Sequence, residues 1–189
     1  MRLFIAVDLD DDARRAIAAE QTRITSAIGD SRSSVRWVKP DRLHLTLVFL
    51  GEVSAEHASV IADAVRRPVD AAPFHMTLQG LGVFPSHGAP RAIWLGVTGG
   101  GTDLVELQRE MARRVEIVGV AIDSSPFHPH LTLGRWRHPR PADRRQALAA
   151  AGPDVIARVG VSAVTLYQSR ISSAGPTYTA LARATLSGR

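Results

Sequence analysis

The chain has 189 residues, 45% of them hydrophobic and none of them cysteine. That is enough apolar material for a core without a disulfide or metal staple, and it excludes a disulfide framework, thiolate zinc sites and a cysteine nucleophile. The formal charge is +5 and Lys39 is the one lysine among 23 basic residues, so the arginine-rich surface suits an anionic partner such as nucleic acid. Arginine-favouring codons would give the same bias. The opening MRLFIAVDLD is too short in apolar residues, and too quickly followed by Asp8 and the acidic run at 10–12, to read as a secretory signal. No stretch approaches the roughly 20 apolar residues of a membrane span. A cytoplasmic protein without membrane contact is expected.

In chain order, 3–9 reads as a strand and 11–28 as a helix with Ala16, Ile17, Ile24 and Ile28 near one face. Gly29, Asp30 and three serines break it. Residues 43–50 form a strand ended by Gly51. Ser54 caps a helix at about 55–67 that Pro68 stops, and 74–81 is a strand. The order then restarts. Residues 91–97 are a strand, GGGTD at 99–103 is a turn, and Thr102 is the expected cap of a helix at 103–117. Residues 129–135 are a strand, and Pro141 opens a short helix to about 150. Residues 156–169 contain one strand and 177–186 another.

Strand, helix, strand, helix, strand thus occurs twice. The expected fold is α+β, a single bilobal domain over 1–189. Two pseudo-symmetric lobes, near 1–85 and 86–189, would each carry an antiparallel-rich sheet with helices outside and a cleft between.

HLTL occurs at 44–47 and again at 130–133, in the matching strand of each half. It takes two of only seven histidines. Alternation along a strand puts Leu43, Leu45, Leu47 and Phe49 on one face, and His44 and Thr46, about 7 Å apart, on the other. Likewise Leu131 and Leu133 oppose His130 and Thr132. The leucines anchor each strand and the His-Thr pairs face a cleft. Imidazole exchanges protons near neutrality, and a hydroxyl donates to a phosphoryl oxygen. Two of each suit acid–base catalysis on a phosphodiester, with one imidazole on the attacking side and one on the leaving side.

The paired H-x-T motifs resemble those of the 2H phosphoesterases. The closer likeness is to their RNA 2′,3′-cyclic phosphodiesterase branch, the 2′-5′ RNA ligase-like proteins. It is carried by RLFIAVDL at 2–9, Trp37, LHLTLVFLGEV at 43–53, GLGVFP at 80–85, PRAIWLGV at 90–97, FHPHLTLGR at 127–135, LYQSR at 166–170 and GPTYTAL at 175–181. The resemblance implies a bilobal fold with both motifs facing a cleft. It implies metal-independent opening of a 2′,3′-cyclic phosphate at an RNA end to a 2′-phosphate, and reversible 2′-5′ joining of RNA ends. It implies His44 as proton donor, His130 as proton acceptor, and Thr46 and Thr132 on the non-bridging phosphate oxygens. RNA with such an end, tRNA fragments included, is the expected partner, and the protein is expected to act as a monomer. Two alternatives stay open: a phosphodiesterase for a small cyclic nucleotide or cyclic ADP-ribose phosphate, and an RNA-end-binding module with incidental catalysis.

Other residues carry weaker signals. Arg135 could hold phosphate charge, but strict alternation puts it on the leucine face unless a bulge after Gly134 turns it. His128 and His130 have a spacing that can serve one metal. Pro129 and the lack of a carboxylate cluster favour a loop or supporting role for His128, and no metal or other cofactor is expected. Phe84 reads first as a core residue and second as a base-stacking residue at the cleft border. The GGG at 99–101 lacks the Lys-Ser/Thr of a nucleotide loop and reads as a turn.

Overall fold

The computed structural model describes residues 1–28, 35–122, 125–173 and 175–188; the polar break expected at 29–34 lies outside them. The first strand, β1 (Arg2–Asp8), is buried along nearly its whole length. Asp10 then caps α1 (Asp11–Ile28), its Oδ1 accepting from the Ala13 amide at 2.8 Å. Ile17 and Ile24 are buried on the helix as its periodicity predicts, but Glu20 and Gln21 are buried beside them.

A short strand, β2 (Val35–Trp37), has no counterpart in the sequence pattern. A 3-10 turn at Pro40–Arg42 leads into β3 (His44–Glu52). Ser54 caps α2 (Ala55–Arg66) through its side chain, as expected. After it come β4 (Phe74–Phe84), β5 (Ala92–Gly99), α3 (Gly101–Ile117), β6 (His130–Trp136), α4 (Pro141–Ala149), β7 (Val155–Val161), β8 (Ala163–Ser172) and β9 (Gly175–Thr185).

Thr102 does not cap α3. Gly100 holds that place with a φ of 74° and no side-chain cap. A β-carbon there would lie 2.4 Å from the His75 carbonyl oxygen, so the turn needs glycine both for its conformation and for the close approach of β4. The single strand expected within 156–169 is two strands, β7 and β8, which belong to different sheets. The break at Ser162 carries no glycine or proline, and its carbonyl is taken by the Leu186 amide at 2.9 Å.

The strands form two antiparallel sheets, ordered β3-β1-β8-β9 and β2-β6-β5-β4-β7. A division near residue 85 does not separate them. β4, from the first half, pairs with β5 and β7, while β8 and β9, from the second half, complete the sheet of β1 and β3. The helices cross over too. α1 follows β1 but packs on β7, with α4 beside it; α3 follows β5 but packs on β3 and α2. One continuous cluster of buried apolar side chains, including Leu45 and Leu131, runs through both sheets. No described helix is long and apolar enough to cross a membrane.

Candidate active site

β3 and β6 lie against each other where the two sheets meet. In each strand Leu-x-Leu anchors the chain: Leu45, Leu47, Leu131 and Leu133 are all buried, and the intervening His44, Thr46, His130 and Thr132 are half-buried on the opposite face. Each strand then carries a bulge. Thr46 pairs with Ala6 and Val48 with Ile5, so Leu47 is the extra residue of β3. Thr132 pairs with Trp94 and Gly134 with Ile93, so Leu133 is the extra residue of β6. The extra residue inverts the alternation beyond it.

Two expectations change as a result. Phe49 leaves the leucine face and is 49% exposed, while Val48 and Leu50 go inside. Arg135 turns toward the cleft while Gly134 and Trp136 are buried, with the bulge one position earlier than the one expected after Gly134. Gly134 marks the place: a β-carbon there would be 2.8 Å from Val35 Cγ1.

The four motif residues and Arg135 come together around one cavity of about 130 Å³, completed by Val38, Arg42 and Tyr178. The two imidazoles are held alike. Each Nδ1–H points at the carbonyl two residues back, His44 to Arg42 at 2.8 Å and His130 to His128 at 2.7 Å. That fixes the neutral tautomer and leaves each Nε2 free of protein partners among the described residues. His128 therefore serves His130 through its backbone. Among the described residues, no three His, Asp or Glu side chains stand together as a metal-binding group.

Aromatic rings box in each imidazole. Phe4 stacks on His44 with centroids 4.8 Å apart, and Tyr178 meets its edge at 5.2 Å. Phe84 and Trp94 meet His130 edge-on at 5.1 and 5.9 Å. Phe84, whose first reading is a core residue, is instead 36% exposed. With Phe49, Ile122 and Phe127 it lines an apolar slot of about 360 Å³ beside His130 and Thr46. Trp94 lies over Gly82, where a β-carbon would be 2.1 Å from its ring.

Burial lowers the pKa of His44 from its usual value, against the opposing pull of the Arg42 carbonyl and of Asp8. Asp8 accepts from Thr165 Oγ1 at 2.8 Å and from the Tyr167 hydroxyl at 2.7 Å. Burial, with that bond added, pushes the Tyr167 phenol up to about 12. Burial likewise raises the Tyr178 phenol, and Arg42 and Arg135 pull it back.

Arg42, Tyr178 and Gln21 contribute to the site without standing out in the sequence. Arg42 is two residues before His44, where the carbonyl that holds Nδ1 must be, and the parallel with His128 is the readable signal. Tyr178 sits on β9, more than 130 positions along the chain, and pairing between distant strands leaves no local mark. Gln21, buried on α1, donates to the Val38 carbonyl at 2.9 Å and to the Leu133 carbonyl, at the bulge itself, at 3.0 Å. It ties the turned segment that presents Arg135 to the helix behind it.

The family model of the 2′-5′ RNA ligase superfamily matches residues 9–170. The chain belongs to that superfamily. Curated relatives named RNA 2′,3′-cyclic phosphodiesterase include one from Archaeoglobus fulgidus, 32% identical over 94% of this chain and 96% of its own. Another, from Methanothermobacter thermautotrophicus, is 34% identical over 95% of each. Among solved structures, E. coli LigT in complex with 3′-AMP superposes with a TM-score of 0.75 at 30% identity, covering 98% of both chains.

Two outcomes test the site's construction. Gln21→Leu takes the side-chain donor from the Val38 carbonyl and one of two donors from the Leu133 carbonyl, which keeps the Val38 amide, and is expected to cost about 1–3 kcal/mol in urea unfolding. Gln21→Glu places carboxylate oxygens against those carbonyls and should cost at least as much; a tolerated Glu would contradict the clamp. Second, His44 takes a proton less readily folded than unfolded, so its contribution to stability is present at alkaline pH. It is lost as pH falls through the usual imidazole range near about 6.5, until the lowered folded pKa is passed. His44→Gln should therefore unfold with a shallower loss of stability between about pH 8 and 5 than the wild type. Equal slopes would contradict the burial effect.

Proposed function

We propose that this protein hydrolyses the 2′,3′-cyclic phosphate at an RNA end to a 2′-phosphomonoester by two-histidine acid–base catalysis. The observation that carries the reading is the matched pair of imidazoles, each fixed through Nδ1 and each with Nε2 free, in one phosphate-sized cavity with two threonines and an arginine. His130 takes the proton of the attacking water as the new P–O bond forms. His44 gives a proton to the departing 3′ oxygen as its bond to phosphorus breaks. Thr46, Thr132 and Arg135 hold the non-bridging oxygens, whose charge they stabilise.

The two ring environments are alike enough that this order rests on the family resemblance. Burial makes protonated His44 a stronger acid than a free imidazolium, and a bound phosphate anion favours its protonated form. The same groups in exchanged roles would join RNA ends through a 2′-5′ bond. The apolar slot of Phe49, Phe84 and Phe127 is suited to the base of the terminal nucleotide.

The deciding experiment is turnover of an oligonucleotide with a 2′,3′-cyclic phosphate end, with the position of the product phosphate determined. His44→Ala and His130→Ala are each expected to lower kcat by about 10²–10⁴-fold, with the double variant no worse than additive. Thr46→Val and Thr132→Val should lower kcat/KM by about 10- to 100-fold. A folded histidine variant retaining more than about a tenth of wild-type kcat would overturn the assignment. The pH profile of kcat/KM should be bell-shaped, because one imidazole must be neutral and the other charged in the same molecule, with limbs that belong to the pair. A rate that climbs steadily from about pH 5 to 9 in folded protein would mean a base acting alone.

A further inference from the structure

Beside the phosphate-sized cavity lies a second one of about 230 Å³, lined by Arg36, Trp37, Lys39, Arg42, Arg135 and Pro176, with Val38 and Tyr178 completing it. The two share Val38, Arg42, Arg135 and Tyr178, so they form one continuous path. Four cationic side chains meet in the second cavity and no carboxylate lines it.

Their placement is unfavourable without an anion. Arg36 on β2 is the direct cross-strand partner of Arg135 on β6, and like charges so placed repel. Arg36 and Arg42 also converge. A β-carbon at Gly175 would lie 2.7 Å from Arg36 Nη2 and 2.8 Å from Arg42 Nη1. Arg42 has a carboxylate only at long range, Asp41 Oδ2 at 4.0 Å from its Nε, and Asp41 is largely exposed. Some arginines elsewhere sit in close pairs, as Arg23 does with Glu20 and Arg113 with Glu110. Here, among the described residues, Arg36 and Arg135 have no such partner. Guanidinium forks gathered in this way suit phosphate oxygens, and the walls of Trp37 and Tyr178 suit a sugar or base beside them.

We infer that this basic cavity is a subsite for the first internal phosphodiester of the RNA, one nucleotide before the cyclic end. The inference rests on the proposed catalysis and extends it. A chain ending in a 2′,3′-cyclic phosphate can continue only from its 5′ oxygen, so the phosphate next to the reacting one belongs to that side. Of the cavities that share walls with the catalytic one this gathers the most cations, four against the Arg2 and Arg135 of the neighbour between Phe4 and Phe49, and it is where that phosphate fits. The slot of Phe49, Phe84 and Phe127, on another flank, has no arginine or lysine in its lining. The substrate thereby becomes an oligonucleotide rather than a mononucleotide.

The test compares three substrates: a nucleoside 2′,3′-cyclic phosphate, a dinucleotide with the same cyclic end, and that dinucleotide with an uncharged methylphosphonate linkage. The natural dinucleotide is expected to exceed both others by roughly tenfold or more in kcat/KM. Arg36→Gln should remove that advantage through KM while leaving the mononucleotide within about twofold, and it should flatten the salt dependence for the dinucleotide only. Lys39→Gln, on the exposed rim of the same cavity, gives a second reading if Arg36→Gln does not fold. Equal kcat/KM for charged and neutral linkages, or equal losses on mononucleotide and dinucleotide, would overturn the subsite while the proposed catalysis stood. No turnover of any of the three would overturn the proposed catalysis itself.

Discussion

One extra residue in each of two strands decides what the cleft receives. Up to Thr46 and Thr132 the pleat sends leucines inward and His-Thr pairs outward. At Leu47 and Leu133 a bulge inverts it, and beyond the bulge Phe49 and Arg135 join the histidine face. Without the bulges Phe49 and Arg135 would point toward the core that Leu45 and Leu131 occupy, and a buried, unpaired guanidinium is among the costliest things a core can hold. The cavity of the two imidazoles, the aromatic slot and the basic cavity all depend on this change of side. So does the need for Gln21, whose amide is fixed on the Leu133 carbonyl where the pleat turns.

The bulges also mark where the two-fold likeness of the halves ends. The imidazoles are held by the same kind of bond to the same kind of carbonyl. Beyond the motifs the strands differ: one turns a phenylalanine into the cleft, the other an arginine. Around the imidazoles, His44 has Phe4 and Tyr178, while His130 has Phe84 and Trp94. The two rings thus share a frame but not their walls.

The repeated HLTL was legible because its information is local: two leucines to bury and two polar residues between them. The helix bounds were legible at Ser54, where a side chain makes the cap, and not at Gly100, where a backbone conformation does. The run ARVGVSAVTLYQS reads as unbroken strand, since every residue in it tolerates extended backbone. Its division between two sheets is decided by partners distant in the chain. The same holds for Tyr178, whose approach to His44 comes from the pairing of β9 with β8 and of β8 with β1. Phe84 reads as core because a large apolar side chain ordinarily is; here it packs against the Trp94 and His130 rings and stays partly exposed.

The exchange of strands between the sheets has a mechanical consequence. Neither sheet can be completed from one half of the chain: the five-stranded sheet takes β2 and β4 from the first half, and the four-stranded sheet takes β8 and β9 from the second. Helices α1 and α3 brace the sheet opposite to the strand that precedes them. The molecule is therefore laced rather than hinged. To part the two imidazoles by an appreciable distance, strands must leave their ladders and the shared core must open, so the separation between the rings is guarded by the stability of the whole fold. A ligand that enters such a frame meets spacing already set, and substrates are sorted by fit to a fixed gauge.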